Sequence, residues 1–184
     1  MLGKWVEKKE IFIASYNYRN ATDVKEWNDT LEKLVANYHT ALRDARIRTI
    51  IIDTATELWE LMRLARFGKL SQVQPHHYGP VNAEFRDILR KAYDTDKNLI
   101  LVHKQKPEYI NDKRTGGVER AGFGDIPYIV QVNMVVGRDE DGFYFQVRDC
   151  RPNEALAGVE MREPMNTFPF LAAEAYGTGT DEWE

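Results

Sequence analysis

Cysteine is almost missing from this chain. Cys150 is the only one, so no intramolecular disulfide can form and a reducing compartment is the default. Long apolar runs are missing too. None approaches the roughly 20 residues of a membrane-spanning helix, and the opening stretch "MLGKWVEKKE" has no apolar core of signal-peptide length. These absences point to a cytosolic protein with no membrane role. Positive charge is not in excess. The 25 Lys and Arg face 29 Asp and Glu, for a formal net charge of -4. That argues against a nucleic-acid grip driven by net charge and leaves room for a local basic patch. No internal repeat, low-complexity block, serine nucleophile elbow or cysteine-nucleophile signature occurs. His76 and His77 have no Cys or carboxylate at metal-ligand spacing beside them, so no zinc site is expected there.

What is present fits one globular domain: 184 residues, 43% hydrophobic and 29% charged. "EIFIASY" (10–16) predicts a first strand. Val24, Trp27, Leu31, Leu34, Val35, Tyr38 and Leu42 recur at spacings of three and four and predict a long amphipathic helix over 23–46. Asp23 with Glu26 gives it a capping-box-like pair. "RIRTIIID" predicts a second strand, apolar on consecutive positions and so expected to be buried on both faces of a parallel sheet. Helices are predicted over 56–67, stopped by Gly68, and over 82–94, with "SQVQPHHYGP" as the loop between them. "NLILVH" (98–103) predicts a third strand. Residues 104–126, with Gly116, Gly117, Gly122 and Gly124, predict a long functional loop. Residues 127–136 and 143–148 alternate and flank "GRDEDG" as a hairpin, and "FPFLAAEAY" predicts a short helix in the tail. The order predicts a three-layer α/β domain with a mainly parallel sheet and a C-terminal β-hairpin over 1–152, followed by a C-terminal extension over 153–184.

Ligands of such sheets bind at the carboxyl ends of the strands, and Asp53 and His103 end two of them. A carboxylate there can hold magnesium through water, with Thr54 orienting that water, although Asp also suits a strand-ending turn on its own account. His103 could sense a phosphate or orient an attacking water, or simply bond a backbone carbonyl. Lys104, Lys106, Lys113, Arg114 and Arg120 make 104–126 a candidate phosphate-contacting surface, while Glu108, Asp112 and Glu119 keep its net charge small. Arg148 and Arg151 are either arginine fingers reaching a neighbouring subunit's nucleotide or ordinary surface arginines. Trp27 and Trp59 sit at helical core positions and read as packing.

"TIIIDTATELW", "NLILVHKQK", the glycine-bearing basic loop and the hairpin closed by "VRDCRPN" together resemble the RecA-fold P-loop ATPases. The resemblance is greatest to phage-encoded AAA-type, RecA/RadA-like ATPases of recombination and single-stranded DNA handling, and spans roughly residues 10–152. It implies a RecA-like fold with Asp53 as the Walker B aspartate on Mg2+ and Thr54 beside it at the ATP site. It implies His103 as the γ-phosphate sensor, and Lys104, Lys106, Lys113, Arg114 and Arg120 as contacts to single-stranded DNA. Arg148 or Arg151 would reach across a homo-oligomer interface, in the host cell cytoplasm. The departure is the phosphate loop. G-x-x-x-x-G-K-[ST] occurs nowhere; "LGKW" at 2–5 lacks the glycine loop and the hydroxyl, and "TGGVERAGFGD" lacks the Lys-Ser/Thr. In the family that loop precedes the first strand read here, so the chain is expected to be a truncated or split ATPase core. Its own ATP binding would be weak, because the loop supplies most backbone donors to the phosphates. Its absence would also leave "TIIID" at an open sheet edge for a copy or partner chain. The alternatives are a non-catalytic DNA- or protein-binding module of the same fold, and a self-assembling structural protein.

Overall fold

The computed structural model describes residues 11–70 and 74–183. They form two compact units, divided between Phe123 and Gly124, whereas the sequence reading set its boundary after residue 152.

In the first unit, helix α1 (Val24–Arg43) starts where the sequence signals it. The Asp23 carboxylate accepts the Glu26 N–H at 2.9 Å, and the Glu26 carboxylate accepts the Thr22 N–H at 2.8 Å. This is the expected reciprocal cap with its return bond moved one residue out. Trp27, Leu31, Tyr38 and Leu42 form its buried stripe. Helix α2 (Ala55–Phe67) packs against α1 and against α3 (Pro75–Tyr93), and ends at Gly68 with a φ of 67°. Leu58, Leu61 and Met62 of α2 and Val81, Phe85 and Leu89 of α3 are buried. Helix α3 begins seven residues before its expected start. Pro75 suits the first helical position, and the helix runs on through Gly79 and Pro80 because tertiary contacts hold that turn. Tyr78 stacks on Trp59 at 5.5 Å, and the Trp59 indole N–H donates to Asn82 Oδ1 at 2.9 Å.

Strands β1 (Thr49–Asp53) and β2 (Asn98–Val102) pair in parallel, with Ile51 opposite Ile100 and Asp53 opposite Val102. They form a two-stranded sheet. The expected burial of both β1 faces is not found: Ile50 and Ile52 are half-buried, while Ile51 is 60% exposed. The expected strand over 10–16 is not found either. Residues 11–16 carry no strand pairing, Phe12 and Ile13 are exposed, and residue 10 lies outside the described residues. β-propensity without a ladder partner does not make a strand.

The expected loop at 104–126 is largely an antiparallel hairpin, β3 (Gln105–Ile110) with β4 (Lys113–Arg120). Asn111 and Asp112, with φ of 50° and 60°, make the two-residue turn. Positive φ at both central positions is the mirror-image turn whose twist matches paired strands, and Asn and Asp tolerate it best after glycine.

In the second unit, β5 (Val132–Asp139), β6 (Gly142–Cys150) and β7 (Glu160–Arg162) form an antiparallel sheet, followed by α4 (Phe168–Tyr176). The expected hairpin and tail helix are present. Pro127 and Tyr128, expected in the first hairpin strand, belong instead to a 3-10 turn, Ile126–Tyr128. Phe145, Val147, Cys150, Leu156, Met161, Leu171 and Ala175 make one core, so the hairpin and the C-terminal segment bury each other. The fold is mixed α/β. A mainly parallel sheet is not found among the described residues, because parallel pairing is confined to β1 and β2 and the other two sheets are antiparallel. No described helix is long and apolar enough to cross a membrane.

Candidate functional site

Asp53 closes β1 at an exposed position. Thr54 is the N-cap of α2, its hydroxyl oxygen accepting the Glu57 N–H at 3.1 Å. The water-orienting hydroxyl expected at Thr54 therefore has a helix-capping duty. Asp53 lines an open cleft of about 310 Å³ with Tyr16, Asn17, Arg19 and Glu57. A second cleft of about 260 Å³ is lined by Thr56, Trp59, Glu60 and Lys104. Tyr18 and Glu57 line both.

Glu57 is the hub that sequence reasoning missed. Its carboxylate accepts from the Tyr18 hydroxyl, from Lys104 Nζ, and from Arg19 Nη2 at 2.7 Å. It stands in the first turn of α2, where the helix dipole favours an anion. The available signal was its place four residues after a strand-ending aspartate. Burial, and then the Glu60 carboxylate, push the Tyr18 phenol pKa up.

His103 directly follows β2, so the strand pairing brings it beside the Asp53 end of the sheet. Its ring, however, lines neither cleft. Nδ1 lies 3.2 Å from the Ala121 carbonyl oxygen and 3.3 Å from Thr56 Oγ1. Nε2 is buried with no partner among the described residues. A carbonyl can only accept, so Nδ1 carries the proton. Burial first, and the nearby Arg120 cation as well, hold the His103 pKa down at about 4, against the smaller upward pull of its bond to Ala121. The ring is neutral at pH 7.

The five candidate nucleic-acid cations divide. Lys104 is bound to Glu57, and Lys106 pairs with Glu119 at 3.1 Å. Arg120 is half-buried, and burial pushes its pKa down. Lys113 and Arg114 are exposed beside the turn, cross-strand from Ile110 and Tyr109, which are themselves 57% and 58% exposed. Arg148 and Arg151 belong to the second unit. Arg148 occupies the irregularity where β5 skips from Asp149 to Val147, and Arg151 Nη2 donates to the Pro127 carbonyl at 3.4 Å.

Among the described residues no three His, Cys, Asp or Glu gather as a metal cage. Magnesium needs less, one or two carboxylates with waters and phosphates completing the octahedron. Asp53, exposed beside an open cleft, fits that demand; Glu57, already taking three donors, does not.

The family model described as "AAA domain" matches residues 13–128, well over half of the 184. The chain belongs to that family. The AAA domain, a P-loop NTPase-like one, takes in both strand tips, both clefts and the whole β3–β4 hairpin, and its match ends before Arg148 and Arg151. No curated protein and no solved structure matches the chain.

Proposed function

We propose that this AAA domain is part of a RecA-like ATPase of phage recombination or replication, and that it carries the magnesium-holding strand tip and a hairpin that contacts single-stranded DNA. One observation carries the reading. Asp53 lies opposite the last residue of β2, and β2 leads through only His103 and Lys104 into the exposed hairpin. A group bound at the strand tips is thus covalently close to the element offered to DNA.

In this reading Asp53, with Thr54 beside it, holds Mg2+ through water. Lys113 and Arg114 meet DNA phosphates, and Tyr109 offers a face on which a base can stack. Lys104, Lys106 and Arg120 support the hairpin more than they touch DNA. His103 acts through the hairpin base. Arg148 and Arg151 are the residues for a neighbouring subunit in a homo-oligomer of the cytoplasm. The sequence holds no G-x-x-x-x-G-K-[ST], so this chain alone does not fit the phosphates of ATP. A phosphate loop from another segment or chain has to cradle them, and β1, which pairs only with β2 among the described residues, has an edge for its strand.

Anisotropy of labelled oligo-dT, with and without Mg-ATP, tests this. Wild type should bind in a salt-sensitive way, and Lys113→Glu with Arg114→Glu should lose binding. Asp53→Ala should remove any Mg-ATP effect while keeping DNA affinity. DNA binding that ignores both the salt and the charge reversal refutes the hairpin assignment. The missing phosphate-loop motif favours one second reading, a DNA-binding module without nucleotide chemistry. In that case Mg-ATP changes nothing in either protein.

A further inference from the structure

Thr56 is the second residue of α2, and Thr54 already caps that helix. The Thr56 hydroxyl is directed elsewhere. It donates to the Ala121 carbonyl at 3.1 Å and accepts the Lys104 N–H at 3.1 Å. Lys104 is the residue before β3, and Ala121 the residue after β4. These are the two feet of the hairpin, themselves joined by the Ala121 N–H to the Lys104 carbonyl at 2.8 Å. One hydroxyl therefore ties both feet to the helix that follows Asp53.

His103 completes the arrangement. Its Nδ1–H donates to the same Ala121 carbonyl, filling that oxygen's second lone pair. The opposite tautomer could accept from the Thr56 hydroxyl at 3.3 Å, but it would bury an unpaired Nε2–H and set the Nδ1 lone pair against a carbonyl, and a buried unpaired donor is costly. Gly122 lets the chain pass close by. A Cβ there would stand 3.5 Å from Thr56 Cα and 3.8 Å from His103 Nδ1, on a backbone with φ of 98° that side chains rarely adopt.

We propose that Thr56 is a positioning residue: its hydroxyl latches the base of the β3–β4 hairpin to the Asp53–α2 turn at the Ala121 carbonyl it shares with the His103 imidazole, so the set of the hairpin toward single-stranded nucleic acid follows that turn. The DNA part rests on the function proposed above; the latch itself does not.

The test compares Thr56→Val, which keeps the shape and removes the hydroxyl, with Thr56→Ser, which keeps the hydroxyl. Three readouts apply: amide exchange at Lys104, the imidazole 15N shifts of His103, and oligo-dT anisotropy. Thr56→Val should speed Lys104 exchange by about tenfold, the worth of one hydrogen bond. It should also move the His103 imidazole shifts, because Nδ1–H then holds the Ala121 carbonyl without a second side-chain donor, and weaken oligo-dT binding several-fold, about as one hydrogen bond would. Thr56→Ser should restore all three. Wild-type exchange and imidazole shifts in Thr56→Val, or a Thr56→Ser protein that matches it, overturn the proposal. Gly122→Ala strains the same backbone with the hydroxyl in place and should move the imidazole shifts too; wild-type shifts there also overturn it, even where Thr56→Val fails to fold. A wild type that does not bind oligo-dT overturns the DNA part, while exchange and imidazole shifts still decide the latch.

Discussion

Replacing Phe123 by Ala tests whether the hairpin base is anchored in the helical core. Phe123 is 2% exposed and follows Ala121 and Gly122 at the end of the first unit. Its ring meets that of Phe85, itself fully buried on α3, edge to face at 5.7 Å and 71°, and the Arg86 guanidinium lies over it at 5.4 Å. Truncating a buried Phe to Ala costs about 3–5 kcal/mol in transfer and cavity terms together. At a urea dependence of about 2 kcal/mol per molar, the unfolding midpoint of the first unit should fall by about 1.5–2.5 M. Fluorescence of Trp27, buried in α1, reports that unit once Trp183 of the second unit is replaced by Phe. A double-mutant cycle of Phe85→Leu with Phe123→Leu should show a coupling of about 0.5–1.5 kcal/mol from the edge-to-face pair. A midpoint shift under about 0.5 M, or no coupling, would refute the anchoring, since a ring so enclosed cannot be removed that cheaply.

Two further outcomes are expected. The His103 pKa lies at about 4 in the fold against an ordinary 6.5, so the unfolded chain takes up the proton first as pH falls. The stability this group contributes is present above pH 6.5 and is lost as pH falls from there toward 4; thermal melts of wild type and His103→Gln should converge over that window. Replacing Asn111, whose φ is 50°, by Val should cost the hairpin turn about 1–2 kcal/mol, read as faster amide exchange in β3 and β4 with the α1–α2–α3 core unchanged.

Much of the first unit was legible, and the misses have physical causes. Helices α1 and α2 announce themselves by apolar spacing, by the Asp23 cap and by the Gly68 stop, all local signals, whereas the Thr54 cap was missed because that hydroxyl was assigned to a water. The adjacency of the β1 and β2 ends was readable because consecutive apolar strands joined by helices pair in parallel. The start of α3 was hidden because Gly79 and Pro80 read as loop, and the helix there is held by contacts distant in sequence, Tyr78 stacking on Trp59 and the Trp59 N–H donating to Asn82. The hairpin was hidden because glycines and charges outweighed a two-residue Asn-Asp turn. Stretch 11–16 misled because its β-branched and aromatic residues said strand, while strand pairing is decided by a partner the local sequence does not contain. At the site, Asp53 was visible from its place at a strand end, but Glu57 and Thr56 matter through Tyr18, Arg19, Lys104 and Ala121, contacts that span 38 to 65 residues.

Those long-range contacts also change what the basic stretch can do. Five cations made this stretch a candidate phosphate-contacting surface, yet Lys104 neutralises Glu57, Lys106 neutralises Glu119, and Arg120 is half-buried at the foot of the hairpin. Only Lys113 and Arg114 stand exposed at the turn. Each single-stranded phosphate contact contributes about -0.7 to the slope of log K against log salt concentration. The oligo-dT slope of one hairpin should therefore lie near -1.4 for two contacts, not near -3.5 for five. Lys113→Glu with Arg114→Glu should bring it to zero or reverse it, while Lys106→Gln should leave it unchanged. A slope near the larger value would mean that the Glu57 and Glu119 pairs open on DNA, and that the hairpin base, with Lys104 released, moves when DNA binds.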